Sequence, residues 1–414
     1  MDEIDRVTLK GSRLRPPSRH LLPEATFGHL AVPHPTASSG TRLRILLVAP
    51  PWFPVPPPRY GGTELVVGNL ATGLADRGHD VTVLTTGDAT VAATRWSAFD
   101  RAPTEHIGDA SVELAHLLAA YGRREQFDLI HDHSLLGAAM ATLAAPATPV
   151  VHTLHGRWTP GGTMACRAMQ DGCHLVAISH DQARRAPDGI SITRVVHNGI
   201  DLSAFPVTTT AQGHLAFLGR ANPEKAPHMA VEVARRLGRR LVMGIKVNEP
   251  EERAYWRDVV EPAIDGHDVT VVRNATHDDK VAILGGASAV LFPIQWPEPF
   301  GLVPVEANAC GTPVVAFANG AAVEVVANDR SGVLVDPSAG VDGLVAAVDR
   351  AEQVSRTDCR RHAEEHFSAE RMVDDYEDLY RALVDRTSRP VPRIGSHETN
   401  RRLSGLGAAE GSGR

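Results

Sequence analysis

Little in this chain is extreme, and each shortage removes a class of protein. Four cysteines (Cys166, Cys173, Cys310 and Cys359) are scattered through 414 residues. A disulfide framework needs more of them, and a cysteine metal site needs closer spacing. Such sparse use fits a reducing compartment, and a cytoplasmic setting is expected. No apolar run approaches the length of a membrane span, and the N-terminus MDEIDRVTLKGSRLRPPSRH lacks the apolar segment of a secretory leader. Neither sign of charge dominates: 42 Lys and Arg against 49 Asp and Glu leave a net charge of −7. Bulk attraction to nucleic acid is therefore not expected, and membrane association is expected to be weak at most. A G-x-G-x-x-G string is missing, which disfavours an NAD-dependent dehydrogenase. Aromatics make up only 5% of the residues, but a hydrophobic content of 43% is ample for burial.

A chain this long exceeds one common core, so two domains are expected. Residues 1–40, rich in Pro, Arg, Ser and Thr, read as a disordered arm. Residues 386–414 hold six Arg against two Glu and end in Gly, Ser and Ala, the composition of a basic disordered tail. Between these arms, short apolar runs alternate with amphipathic stretches. RILLVAP (44–50), DVTVLTT (80–86), DLIHDHS (128–134), PVVHTLHG (149–156) and HLVAISH (174–180) are expected strands. A polar stretch, PVTTTAQ (206–212), interrupts. The pattern then restarts with HLAFLGR (214–220), RLVMGIK (240–246), DVTVVRN (268–274), AVLFPI (289–294), PVVAF (313–317) and SGVLVDP (331–337). Alternating strand and helix with β-branched runs predicts an α/β fold with parallel, doubly wound sheets. The expected units are Rossmann-like domains at 41–205 and 213–365, followed by a helix over 366–385 with Met372, Tyr376, Leu379 and Tyr380 on its apolar side. Ligands in such sheets meet the C-terminal ends of the strands, so the cleft between the halves is the expected site.

The string AVLFPIQWPEPFGLVPVEANACGTPVVAF (289–317) carries most of the chemistry. A strand ends in the loop QWPEPFG, and a helix over 302–310 begins there. Its free amides near Phe300, Gly301 and Leu302 form a site for an anion or a hydroxyl, and Gly301 lets a ligand approach the backbone. Glu298 on the loop and Glu306 one turn into the helix face that site from two sides. A carboxylate accepts two hydroxyl protons at once, as a vicinal diol requires. Upstream, in FLGRANPEKAP, Arg220 and Lys225 flank a strand-to-helix turn and can grip a diphosphate. Gly61 and Gly62, in PPRYGGTELVV, make a glycine turn entering a helix. His155 stands at the end of a strand facing the crevice, whereas His152 reads as a packed strand residue. The triplet HDH (131–133) is the densest histidine cluster, but no further ligands complete a metal set.

The string from Glu298 to Glu306 resembles the E-x7-E signature of retaining glycosyltransferases of the GT-B fold, the large family 4 or group 1 that includes sucrose and mannosyl-phosphatidylinositol synthases. The resemblance covers roughly residues 43–385 and implies two Rossmann-like domains facing across a cleft, with the 366–385 helix crossing back onto the first. It implies that Glu298 contacts the donor sugar and that Glu306 binds the ribose. Arg220 and Lys225 match the family's diphosphate-binding pair, His155 its sugar-contacting histidine, and Gly61 and Gly62 its donor-closing loop. Asp128, His131 and His133 match a D-x-x-H-x-H string without a metal role. The implied activity is metal-independent transfer of a sugar from a nucleotide diphosphate sugar, UDP- or GDP-linked, to an acceptor hydroxyl, with retention and without a cofactor. A D-x-D metal clamp, which the GT-A class needs, is missing from the chain. The acceptor, whether small molecule, glycan or lipid, stays open, although the stretch LLVAPPWFPVPPPRYGGTELVV also resembles a branch with bacterial natural-product enzymes. A non-catalytic nucleotide-sugar binder, or an epimerase or phosphorylase of the same architecture, are the alternatives.

Overall fold

The computed structural model describes residues 41–59, 61–121, 127–144, 147–264 and 268–387. The expected arm at 1–40, all but the first two residues of the expected tail, and Tyr60 lie outside that range. The first half runs β1 (Arg44–Val48), α1 (Gly62–Asp76), β2 (Asp80–Thr85), β3 (Thr94–Ser97), α2 (Ala110–Tyr121), β4 (Leu129–Asp132), α3 (Leu135–Ala144), β5 (Val150–Leu154), α4 (Pro160–Met169), β6 (His174–Ala177), α5 (His180–Arg184) and β7 (Arg194–Val195). The second half runs β8 (His214–Arg220), α6 (Pro227–Leu237), β9 (Leu241–Lys246), α7 (Pro250–Tyr255), α8 (Glu261–Ile264), β10 (Val269–Arg273), α9 (His277–Gly286), β11 (Ala287–Phe292), α10 (Leu302–Ala309), β12 (Val314–Phe317), α11 (Ala322–Val325), β13 (Gly332–Val335) and α12 (Gly340–Ala351). Two further helices complete the described residues, α13 (Arg356–Phe367) and α14 (Ala369–Thr387).

Each half holds one parallel sheet, in the order β3-β2-β1-β4-β5-β6-β7 and β10-β9-β8-β11-β12-β13. Strands such as LLV in β1 and AVLF in β11 are buried because helices cover both faces, so they read as continuous apolar runs without alternation. In both sheets the strand order reverses beside the first strand, between β1 and β4 and between β8 and β11. Open crevices form where the order reverses, at the strands' C-terminal ends. The second sheet therefore presents Arg220, the last residue of β8, beside the loop that leaves β11.

The closing helices correct the expected boundaries. A single helix from 366 does not form. Ser368 is extended (φ −70°, ψ 151°). It pairs with the chain at Ile200, whose N–H donates to Phe367 O (2.9 Å) and whose carbonyl accepts from Ala369 N (2.9 Å). That exchange of main-chain bonds competes with the helical ladder and breaks it there. Beyond it, α14 lays Met372, Val373, Tyr376, Leu379, Tyr380 and Leu383 into the core of the first half. It continues to Thr387, two residues into the expected tail. The approach is tight: a Cβ at Gly73 of α1 would stand 2.5 Å from Val373 Cγ2, so this helix crossing needs glycine.

Candidate active site

The chain leaving β11 turns at Gly301, whose φ of +93° starts α10. A side chain is strained at such a φ, and a Cβ here would also stand 3.2 Å from Phe292 Cζ. Phe300, just before it, buries its ring at 2% exposure, edge-on to Phe367 with centroids 5.8 Å apart. The expected donor contact at Phe300 is thus open to the backbone alone, because its ring belongs to the core. The loop is held from behind as well: Ala321 N–H donates to Glu298 O (2.8 Å), and Gly320, at φ +59°, packs against the Glu298 backbone.

This loop brings Glu298 to Lys225, whose Nζ donates to Oε2 at 2.5 Å. The ammonium also lies 5.6 Å from the Phe292 ring centroid and 5.8 Å from that of Trp296, within cation–π range. Arg220 stands on the other side of the same turn, with Nη2 3.8 Å from Glu224 Oε2. Its Nε is buried and has no partner. Glu224 also takes an ion pair from Arg157 of the first half, so that pair spans the cleft. One turn into α10, Glu306 is buried and accepts from Lys280 Nζ at 2.6 Å. Arg220, Lys225, Glu298 and Glu306 are thus brought to one end of one sheet, with Gly301 and Leu302 between the two acids.

The first half supplies the facing wall. Gly61 has a φ of +148°, and a Cβ on Gly62 would lie 3.3 Å from Leu302 Cδ1, so the N-termini of α1 and α10 meet across the cleft. Glu64, in the first turn of α1, is 4% exposed, and burial lifts its carboxyl pKa from 4.5 to about 7. His155 follows β5 directly, and its Nε2 shares a hydrogen bond with His133 Nδ1 (2.8 Å). His152 faces elsewhere, with Nδ1 3.3 Å from the buried Asp132, as a packed strand residue would.

Sequence reasoning missed three groups. Lys280 partners Glu306 from a helix 26 positions away. Trp296 lies under two cations, with the Arg157 guanidinium 5.6 Å from its centroid. Glu324, on α11, bridges the halves: it accepts from His180 N (2.8 Å), Asp181 N (2.6 Å) and His197 Nε2 (2.9 Å). Burial works to raise its pKa, but His197 and the two amides outweigh it and hold the carboxyl below the usual range. His180, His197 and Glu324 place three ligand-type atoms within 4.8 Å of one another, but the carboxylate is already engaged by main-chain donors. Neither Lys280 nor Glu324 follows a local pattern that a reader of the chain could weight. Trp296 does sit within the quoted loop.

Two parallel sheets, with ion pairs at the open end of the second and imidazoles at that of the first, form a GT-B architecture. The chain matches the family model for glycosyltransferase family 4 over residues 60–204 and that for glycosyl transferases group 1 over residues 207–366, and it belongs to that family. A glycogen synthase of Mycobacterium tuberculosis is 28% identical over 74% of this chain and 85% of its own length. A D-inositol 3-phosphate glycosyltransferase of Mycolicibacterium smegmatis is 28% identical over 83% of this chain and 91% of its own. Among solved structures, AviGT4, a glycosyltransferase involved in avilamycin A biosynthesis, covers 83% of the chain and 98% of its own at 23% identity, with a TM-score of 0.64. HepE of Anabaena in complex with UDP and glucose covers 83% of this chain and 100% of its own at 16% identity, with a TM-score of 0.65. The protein is an enzyme, a glycosyltransferase; the alternatives of a silent binder, an epimerase or a phosphorylase gain no support from these relatives. Among the described residues, no helix is long and apolar enough to cross a membrane.

Proposed function

We propose that the enzyme transfers a sugar from a nucleotide diphosphate sugar to an acceptor hydroxyl, retaining the anomeric configuration and using no metal ion. One observation carries this reading: Arg220 Nε is a buried, unpartnered donor beside two close cation–carboxylate pairs. An unmet buried donor is costly, and a diphosphate oxygen would satisfy it. With donor bound, Lys225 exchanges Glu298 for phosphate, which frees Glu298 for sugar hydroxyls. Glu306 takes the ribose diol. The bond from the anomeric carbon to the β-phosphate oxygen then breaks, and its electron pair stays on the diphosphate. Arg220, Lys225 and the amides of Gly301 and Leu302 stabilise that charge. The acceptor oxygen bonds on the face the phosphate leaves, and its proton passes to a phosphate oxygen. Fixed cations here take the part that a metal ion plays elsewhere.

HepE, of the same fold, is solved with UDP-glucose as well as with UDP and glucose, which supports a nucleotide-sugar donor. UDP and GDP are the bases to try first. A relative named for D-inositol 3-phosphate and a neighbour from avilamycin A biosynthesis support a small-molecule acceptor. All four cysteines are free and buried, in keeping with a reducing, cytoplasmic setting. A thermal-shift screen with UDP, GDP, ADP and their sugars tests the reading, because a ligand of the native state alone raises the melting point. Turnover is then followed as nucleotide diphosphate release with and without EDTA, and the product anomer by NMR. A donor that crystallises away from Arg220, Lys225, Glu298 and Glu306, or turnover abolished by EDTA, would falsify it.

A further inference from the structure

The site uses His155 but leaves the imidazoles behind it without a task. His131 and His133, two apart on an extended chain, lie on one side of the sheet with ring centroids 4.0 Å apart. His131 is satisfied at both nitrogens, Nδ1 by the Tyr380 hydroxyl (2.5 Å) and Nε2 by Thr153 Oγ1 (2.8 Å). Tyr376 also bonds Thr153 Oγ1 (2.8 Å), so α14 fastens this arrangement from the far side. His133 differs: Nδ1 meets His155 Nε2 at 2.8 Å, while its own Nε2 is buried with no partner.

A hydrogen bond between two neutral imidazoles holds one proton, on one ring or the other. Burial, aided by neighbouring histidines, pushes His133 well below its ordinary range, and burial with His152 pushes His155 to about 3, so both rings are neutral at physiological pH. Suppose the shared proton belonged to His155. His133 would then carry its own proton on Nε2, an N–H buried without an acceptor. Orphaned buried N–H groups are rarer than under-used acceptors. The proton therefore sits on His133 Nδ1, and His155 Nε2 accepts it. The single proton of His155 is then on Nδ1, the nitrogen His133 does not engage.

We propose that His133 is a positioning residue that locks His155 in its Nδ1–H tautomer, so that His155 meets the donor sugar as a hydrogen-bond donor. The proposal rests on the glycosyltransferase reading of His155 and deepens it. In this tautomer the free nitrogen of His155 has no lone pair to accept a proton, so His155 is not the base that activates the acceptor. The leaving phosphate keeps that part.

The test is a long-range proton–nitrogen NMR spectrum of the full chain with ¹⁵N-labelled histidine, near pH 7.5 and without ligand. His155 is assigned by comparison with His155→Gln. The expected result is an unprotonated Nε2 and a protonated Nδ1 on His155. A protonated Nε2 overturns the proposal, whatever the activity. His133→Leu should release the tautomer and lower kcat about tenfold, the worth of one hydrogen bond, with KM for the donor nearly unchanged. His133→Asn, which can return an N–H near the position of Nδ1, should recover most of that loss. If His155 keeps the same tautomer in His133→Leu, the lock is refuted. Failure of the parent reading looks different: the expected spectrum, with no turnover of any nucleotide sugar.

Discussion

At the open ends of β8 and β11 the second half gathers Arg220, Lys225, Lys280, Glu298 and Glu306 in charged pairs, while at the matching ends of β4 and β5 the first half gathers His131, His133 and His155, all neutral. The difference follows burial. The side chains of Lys225 and Lys280 keep 16% and 21% exposure, enough for water to share in solvating the two cations. His131 is fully buried, and a charge there would face a desolvation cost with no counter-ion. Partly wet ion pairs exchange easily, since their net worth is small. Dry neutral networks do not, because breaking one leaves an unmet polar group. Under the proposed mechanism, one wall of the cleft swaps contacts while the other holds shape.

The largest expected effect tests the rigid wall. Truncating Tyr376, fully buried where α14 meets the first half, should cost about 3–5 kcal/mol of stability in urea unfolding. Lys225→Ala should barely move that midpoint yet lower kcat about 10²–10³-fold, the range for losing one stabiliser of developing charge. If Lys225→Ala destabilises as much as the tyrosine truncation, the contrast between the walls is broken.

Glu64 sharpens the comparison, being a buried carboxyl of the first half whose pKa burial raises. Its pKa stands at about 7 against an ordinary 4.5. Such a group holds more protons folded than unfolded between those values, so the fold loses stability as pH rises through that window. Glu64→Gln removes the loss: it should change stability little at pH 5 and add roughly 3 kcal/mol at most by pH 8. Urea unfolding across that range reads the difference, and a gain that is flat with pH refutes it. The smallest effect is expected at Glu306→Gln, which should raise KM for the donor about tenfold while kcat changes little. Equal losses in both would move Glu306 from the proposed ribose contact to the reacting centre.

Much of this was readable before the fold. The apolar runs, their spacing and the polar break near 206–212 gave away two doubly wound halves, because parallel strands covered by helices need continuous β-branched residues. Glu298, Gly301 and Glu306 announced themselves because a strand, a turn and a helix start lie within one short string. Lys280 and Glu324 did not, since Glu306 reaches Lys280 from another helix and the partners of Glu324 come from the other half of the chain. The break at Ser368 was also hidden: its cause is Ile200, which lies far away in the chain.

The order of residues by itself settled which groups sit at strand ends and helix starts, for those positions follow from local pattern and turn chemistry. Only the folded chain decided which of them touch. Ion pairs, tautomers and the pKa of a buried acid depend on distance and on water, and both are fixed when the two halves close around their cores.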